Sequence, residues 1–226
     1  MKKLTGQSAI ELLYKDLISD EKDLQKPENR WIFHCLYVGS AAKRIASKLG
    51  LDEDYALALG CVHDIGRKIS HPNHVIEGYK YMNNHGYIKE AEICLSHSFI
   101  SNDINLVAGG VPENHDVYLY INNFLSSHPL TIYDNIVKLC DLFCLDKGFT
   151  TIEKRILDVY TRKGIYENSL AHFQSVLKLK EEIEKQMGCT LYELFPEIDE
   201  KDINSVKDDY QKVIDMIKEK SSVNKK

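Results

Sequence analysis

Apolar residues recur every three or four positions along most of this chain, which is the spacing of one helical face. No stretch keeps the two-residue alternation of a half-buried strand. The first such stripe, Ile10 to Ile18, is short and gives way to a charged stretch that runs to Pro27. Asn29 to Leu49 reads as a long helix, with Asn29 as its cap and Gly50 at the C′ position. On it His34, Val38, Ala41 and Ile45 share the stripe that faces inward. Asp52 caps the next helix, an Ala/Leu-rich run that ends in His63 and Asp64 and breaks at Gly66. Gly50 is then the hinge of a helical hairpin that sets His34 across from His63.

Arg67 to Asn73 reads as a loop, because His71-Pro72 and Asn73 are breakers. His74 to Asn84 is helical again and Gly86 ends it; Lys89 to His97 forms the next helix, with Ile93 one turn before His97 on the same side. From Ser98 to Pro129 the pattern is interrupted by Gly109-Gly110, Pro112 and an aromatic cluster of Tyr118, Tyr120 and Phe124. A connection this long either covers or lines something, or is a surface excursion with a short helix at Val117 to Phe124. Thr131 to Leu145 is strongly apolar, yet Asp141 stands on its buried stripe between Val137 and Leu145. Thr151 to Lys163, Glu167 to Met187 and Asp202 to Ser221 are further amphipathic helices. Leu170, Phe173, Val176, Leu177 and Ile183 are their expected core positions, and the final SSVNKK is expected to fray. The fold class is all-α: a helical bundle over 29–146, with 98–129 as an insertion or lid. Residues 1–28 form an N-terminal helix and linker, and helices over 147–226 form a C-terminal extension packing on the core.

With 226 residues the chain can bury a proper core. A net charge of −5 argues against a broad nucleic-acid or membrane surface, although it permits a small cationic pocket. No apolar run is long enough to span a bilayer. The opening MKKLTGQSAIELLYKDL alternates charged with apolar residues and is not a signal peptide, so a cytoplasmic location is the expectation. Six cysteines (Cys35, Cys61, Cys94, Cys140, Cys144, Cys189) show neither a CxxC pair nor zinc-finger spacing. Several lie near the polar misfits, but packing as small hydrophobes in a reducing compartment explains them better than thiolate ligation.

Polar residues on apolar stripes carry the chemistry. Asp64 can pair with Arg67 while His63 bonds a carbonyl, so the dipeptide alone does not require an ion. Taken together, however, His34, His63, Asp64, His97 and Asp141 stand on helices that meet in one core, and His74 heads its own helix. A buried carboxylate costs several kcal/mol or more without compensation. Mixed imidazole and carboxylate ligands suit one or two divalent ions of Fe, Mn, Ni, Co or Zn, with Mg admissible and Ca disfavoured. His85, His115, His128 and His172 sit in polar or unremarkable surroundings and default to the surface.

The order His34, then His63-Asp64 within HDIGR, then Asp141 resembles the HD-domain superfamily of metal-dependent phosphohydrolases, over roughly residues 29 to 146. HVIEGYKYM, with His74 four residues before Gly78, and LSHSF, with His97, resemble the additional histidines of its two-metal members. The nearest subgroup by this arrangement is the small bacterial proteins that hydrolyse nucleotides, dinucleoside polyphosphates among them. The resemblance implies an all-α fold whose signature residues His34, His63, Asp64 and Asp141 bind a divalent metal, and a metal-activated water that attacks a small phosphorylated substrate, a nucleotide being favoured. Asp64 would bridge to a second ion held by His74 and His97, or the site would hold one metal without them. His71 competes with His74 for that role, and His74 is preferred. The family often places Lys after HDIG; here Arg67 and Lys68 follow, and either can contact phosphate. Two other readings of the resemblance are a di-iron oxygenase and a non-catalytic nucleotide-binding or regulatory domain. The oligomeric state is left open.

Overall fold

The computed structural model describes residues 3–15, 23 and 26–223. In chain order its helices are α1 (Gly6–Tyr14), α2 (Arg30–Lys48), α3 (Glu53–Val62), α4 (His74–Asn84), α5 (Ile88–Ser96), α6 (His115–Ser127), α7 (Ile132–Asp141), α8 (Ile152–Lys163), α9 (Ser169–Met187), α10 (Leu191–Leu194) and α11 (Glu200–Val223). Tight 3-10 turns occupy Ile65–Lys68 and Ile100–Asn102, and a small hairpin pairs β1 (Cys144–Leu145) with β2 (Gly148–Phe149). The fold is all-α apart from that hairpin. The chain divides into two compact units, Met1–His97 with Thr131–Gly148, and Ser98–Leu130 with Phe149–Lys226. No described helix is long and apolar enough to cross a membrane.

The first unit is built on the α2–α3 hairpin. Gly50 has φ +69°, and its N–H donates to Ser47 O (3.1 Å) while Leu51 N–H donates to Ala46 O (2.9 Å). This Schellman pair satisfies carbonyls that the last turn of α2 leaves open. Asp52 then caps α3, accepting from Tyr55 N–H at 3.0 Å. The two helices meet backbone to backbone: a Cβ on Gly60 would lie 2.6 Å from Gly39 Cα. Ile32, Cys35, Ala58, Cys61, Val62 and Ile65 fill the core beside this crossing. The turn after α3 is pressed as closely on α4, since a Cβ on Gly66 would lie 2.0 Å from His74 O and 2.3 Å from Gly78 N. Helix α7 starts with a capping box, in which Thr131 caps Asp134 N–H and the Asp134 carboxylate accepts from Thr131 N–H. Its Ile136, Val137, Leu139 and Cys140 are buried. In the second unit, Tyr160, Phe173, Val176, Ile183, Phe195 and Val213 form the core of α8 to α11.

Several expectations need correction. The first helix starts at Gly6 rather than Ile10, and the part of the expected helix beyond Lys15 lies outside the described residues. Asn29 precedes α2 without capping it; its amide donates to Asp23 O instead (2.9 Å). The loop expected over Arg67 to Asn73 begins as the turn Ile65–Lys68. Helix α6 is longer than the Val117 to Phe124 segment read from the sequence. The helix expected to run to Leu145 stops at Asp141, and Leu145 belongs to β1. Leu170 is 40% exposed rather than in the core.

Candidate metal centre

His34 projects from the second turn of α2, His63 and Asp64 from just past α3, His74 from the first residue of α4, His97 from just past α5, and Asp141 from the last residue of α7. Within the first unit these distant points of the chain come together. His34 Nε2 is 2.9 Å from Asp141 Oδ1, and His63 Nε2 is 3.8 Å from that oxygen and 3.7 Å from Asp64 Oδ2. Asp64 Oδ1 lies 3.2 Å from His74 Nε2 and 3.4 Å from His97 Nε2. The rings of His34 and His63 are 5.3 Å apart, those of His63 and His97 4.9 Å, and those of His74 and His97 5.5 Å. Among the described residues two sets have ligand atoms close enough to hold an ion, His34/His63/Asp141 and His63/Asp64/His97, and His63 belongs to both.

Each imidazole is turned by a main-chain carbonyl. His63 Nδ1 faces Gly60 O at 2.7 Å, His97 Nδ1 faces Cys94 O at 3.0 Å, and His74 Nδ1 faces His71 O at 2.9 Å. His34 Nδ1 faces the Cys144 carbonyl of β1 at 3.2 Å. A carbonyl can only accept, so in the neutral rings of His63, His74 and His97 Nδ1 carries the proton and Nε2 presents a lone pair, whereas His34 lies between two acceptors, of which Asp141 Oδ1 is the nearer. Those lone pairs point at carboxylate oxygens, which are acceptors too. His63 Nε2 and Asp64 Oδ1 are fully enclosed and have no hydrogen-bond partner. A buried cluster of facing acceptors is unfavourable unless a cation lies among them. The residues present therefore fit a divalent ion, whose ligands are oriented in this way by bonds on their outer nitrogens.

The charge states agree with that chemistry. Burial pushes His74 down to about 4 and also lowers His34, which keeps both rings neutral and able to ligate. Burial alone would raise the Asp64 carboxyl, but His74, His63 and Arg67 outweigh it and hold Asp64 well below the usual carboxylate range. At Asp141, too, burial is opposed and overcome by the neighbouring His34 and His63. At His63 burial favours the neutral ring, but Asp64 and Asp141 outweigh it and raise the pKa, the same pull that they would exert on a cation set among them.

The two cations after the His-Asp pair go separate ways. Arg67 Nε donates to Asp64 Oδ2 at 2.5 Å. Lys68 Nζ donates to the carbonyls of Leu12 (2.5 Å) and Lys15 (2.6 Å) at the end of α1, so its charge closes that helix rather than standing beside Asp64. His74, not His71, faces Asp64; the exposed His71 ring lies 3.3 Å from Arg67 Nη1 through its Nδ1. The pairing of Asp64 with Arg67 and of His63 with a carbonyl, each sufficient for the dipeptide alone, is thus present and still leaves His63 Nε2 and Asp64 Oδ1 unmatched. Cys35, Cys61 and Cys94 are buried, and burial raises all their thiols, Cys61 to about 12, as expected of packing residues.

Three features are absent from the sequence reading. The Cys144 carbonyl is a main-chain group with no side-chain signature. Lys138, on the same α7 stripe as Asp141, is 1% exposed. His172, expected at the surface, is 1% exposed and hydrogen-bonded through Nδ1 to Tyr160 Oη at 2.9 Å. The i−3 carbonyl contacts of His63, His74 and His97 follow from helix-end geometry and could have been anticipated.

The family model for the HD domain matches residues 31–145 of this chain, about half its length and the whole span from the start of α2 to β1. No curated protein and no solved structure matches it.

Proposed function

This chain belongs to the HD-domain family, a superfamily of metal-dependent phosphohydrolases, and from that premise we propose that it hydrolyses a phosphate ester or anhydride, with a small nucleotide as the favoured substrate. His34, His63 and Asp141 would hold one ion, and Asp64 with His74 and His97 would hold a second, His63 lying between the sets. A bound divalent ion supplies Lewis acidity and lowers the pKa of water at neutral pH. The protein's own part is to present imidazoles oriented by main-chain carbonyls, keep both carboxylates ionised, and place a guanidinium at the edge. Arg67 would take the phosphoryl oxygens, bidentately where geometry allows, which a lysine cannot do. Lys68, engaged by α1, is left with a structural role.

The observation that carries this reading is the enclosed pair of unmatched acceptors, His63 Nε2 and Asp64 Oδ1. A structural polar cluster would be expected to satisfy them with donors. The test starts with metal analysis of the purified protein. It continues with phosphomonoesters, phosphodiesters and dinucleoside polyphosphates under Fe, Mn, Ni, Co, Zn and Mg. Asp64→Ala is expected to lose bound metal and at least about a thousandfold in turnover together, on the scale of a removed electrostatic group in a catalytic site. A metal-free Asp64→Ala protein that hydrolyses the same ester at the wild-type rate would sink the proposal. Oxygen consumption with an organic substrate and no phosphate release would move the protein to the di-iron class.

A further inference from the structure

His71 lies outside both ligand sets, yet it touches the site twice. Its main-chain carbonyl accepts from His74 Nδ1 (2.9 Å), and its ring nitrogen Nδ1 lies 3.3 Å from Arg67 Nη1. Arginine has no acceptor, so Arg67 donates and His71 Nδ1 receives. In the neutral ring the proton then sits on Nε2, which points away from Arg67 as a donor. Arg67 is fixed at its other edge, where Nε donates to Asp64 Oδ2. Two of the five guanidinium N–H donors are thereby committed, and three remain. Exposure orders the three residues along a line: the Asp64 side chain is 3% exposed, that of Arg67 29%, and His71 is exposed. Among the described residues no further partner takes the remaining Arg67 donors or His71 Nε2.

We propose that His71 is a positioning residue for substrate binding: by accepting from Arg67 Nη1 it fixes the plane of the guanidinium, so that the remaining Arg67 donors meet one phosphoryl group at the outer edge of the site. This rests on the phosphohydrolase reading and deepens it. The residues around Asp64 and Asp141 serve the reacting phosphorus, while Arg67, aligned by His71, grips an oxyanion beside it. A guanidinium whose plane is fixed matches the separated oxygens of a phosphate better than a lone lysine ammonium would. The short loop supports the arrangement. Ile69 and Ser70 N–H both donate to Gly66 O (2.9 and 3.0 Å), and Ser70 Oγ accepts from Asn73 N–H (3.3 Å), which holds the main chain of His71 between two fixed ends.

The experiment uses inorganic phosphate as the probe on the Mn²⁺-loaded full chain, by calorimetry, so that it reads binding whether or not any ester is turned over. His71→Ala is expected to weaken phosphate binding about tenfold, the loss of roughly one charge-assisted contact, with Mn²⁺ stoichiometry retained. With a hydrolysed ester in hand, the larger share of the loss falls on KM. His71→Asn, which keeps an acceptor for Arg67, recovers most of the affinity. In an Arg67→Ala background His71→Ala adds less than about threefold, because the two act as a unit. Equal phosphate affinity in wild type and His71→Ala, or no phosphate binding by the wild type, would overturn the assignment. So would loss of Mn²⁺ in His71→Ala, which would make the residue a support for His74. Absence of ester hydrolysis together with a His71-dependent phosphate affinity would instead remove the hydrolase reading and leave the anion clasp standing.

Discussion

At the scale of single residues, the site is defined by polar groups that a helical core would ordinarily exclude, and Lys138 shows that the same physics operates just beyond it. Lys138 is 1% exposed on α7, and burial lowers its pKa to about 8 against the pull of Asp134 in the other direction. Asp134 has donors of its own in Thr131 N–H (2.9 Å), Thr131 Oγ1 (2.5 Å) and Ser96 Oγ (3.1 Å). A lysine whose folded pKa lies below its unfolded value of 10.5 leaves the unfolded chain holding the extra proton between those two values. Its penalty is therefore complete below about pH 8 and is relieved as the pH rises toward 10.5. At 1.36 kcal/mol per unit that penalty is about 3 kcal/mol. Lys138→Met is expected to gain about 1–3 kcal/mol in urea unfolding at pH 7, since Asp134 keeps three donors and Met fits the same stem. The gain should shrink from pH 8 to 10. A Met variant less stable than wild type at pH 7 would show that the contacts of the ammonium outweigh the cost of burying it.

At the scale of elements, glycines decide how near the ligand-bearing segments can come. Gly66 and Gly50 make a controlled pair, because one is closed in by backbone and the other is open but has a positive φ. A Cβ at Gly66 would meet His74 O at 2.0 Å, whereas at Gly50 nothing lies within 4 Å and only the φ of +69° resists a side chain. Gly50→Ala should cost about 1 kcal/mol of left-handed strain and leave Mn²⁺ affinity as it was. Gly66→Ala must push the start of α4 away. Beyond an overpacking cost of about 1–3 kcal/mol, it should weaken Mn²⁺ binding at least tenfold by moving His74, although Gly66 supplies no ligand. Calorimetric Mn²⁺ titration of both variants checks this; equal affinities would mean that α4 does not set the site. These elements also mark what the chain announces locally. The α2–α3 hairpin, α4, α5 and the convergence of His34, the 63–64 pair, His97 and Asp141 were legible because helix periodicity and Gly caps are written over short windows. The hairpin at β1 and β2 was not, since two-residue strands are too short to alternate. Helix α10 was missed although Thr190 and Glu193 spell a capping box, its single turn being too short for periodicity. Leu170 and His172 were placed on the wrong sides because both lie in the first turn of α9, where one stripe cannot say which neighbour covers it.

At the scale of the whole molecule, the two units carry separate titrating centres, and acid should read them separately. The second unit has no part in the ligand sets, but it buries His172 against Tyr160. Tyr160 Oη donates to Ser169 O at 2.7 Å, so it must accept from His172 Nδ1–H at 2.9 Å, and the ring is held neutral. Burial pushes His172 down to about 4 from its ordinary 6.5, with Lys163 adding to the effect. Above pH 6.5 neither folded nor unfolded chain protonates this ring and it contributes no slope. Between 6.5 and 4 the unfolded chain takes up a proton that the fold refuses, so stability falls as the pH drops, by about 3 kcal/mol over the window. Acid also protonates imidazoles in the first unit, which is why the comparison must be a difference. His172→Gln removes only the second-unit term while keeping a donor for Tyr160. The variant's cost in unfolding free energy should be constant above pH 6.5 and should turn progressively toward a relative gain by pH 4. Amide exchange in α8 and α9 should become less acid-sensitive in the variant, while exchange in α2 and α3 should keep the wild-type response and follow Mn²⁺ instead. A His172→Gln chain whose acid sensitivity in α8 and α9 matched the wild type would show that the ring is not the group these helices exclude from charge. Exchange that shifted equally in both units would show that they unfold as one body, with neither centre acting locally.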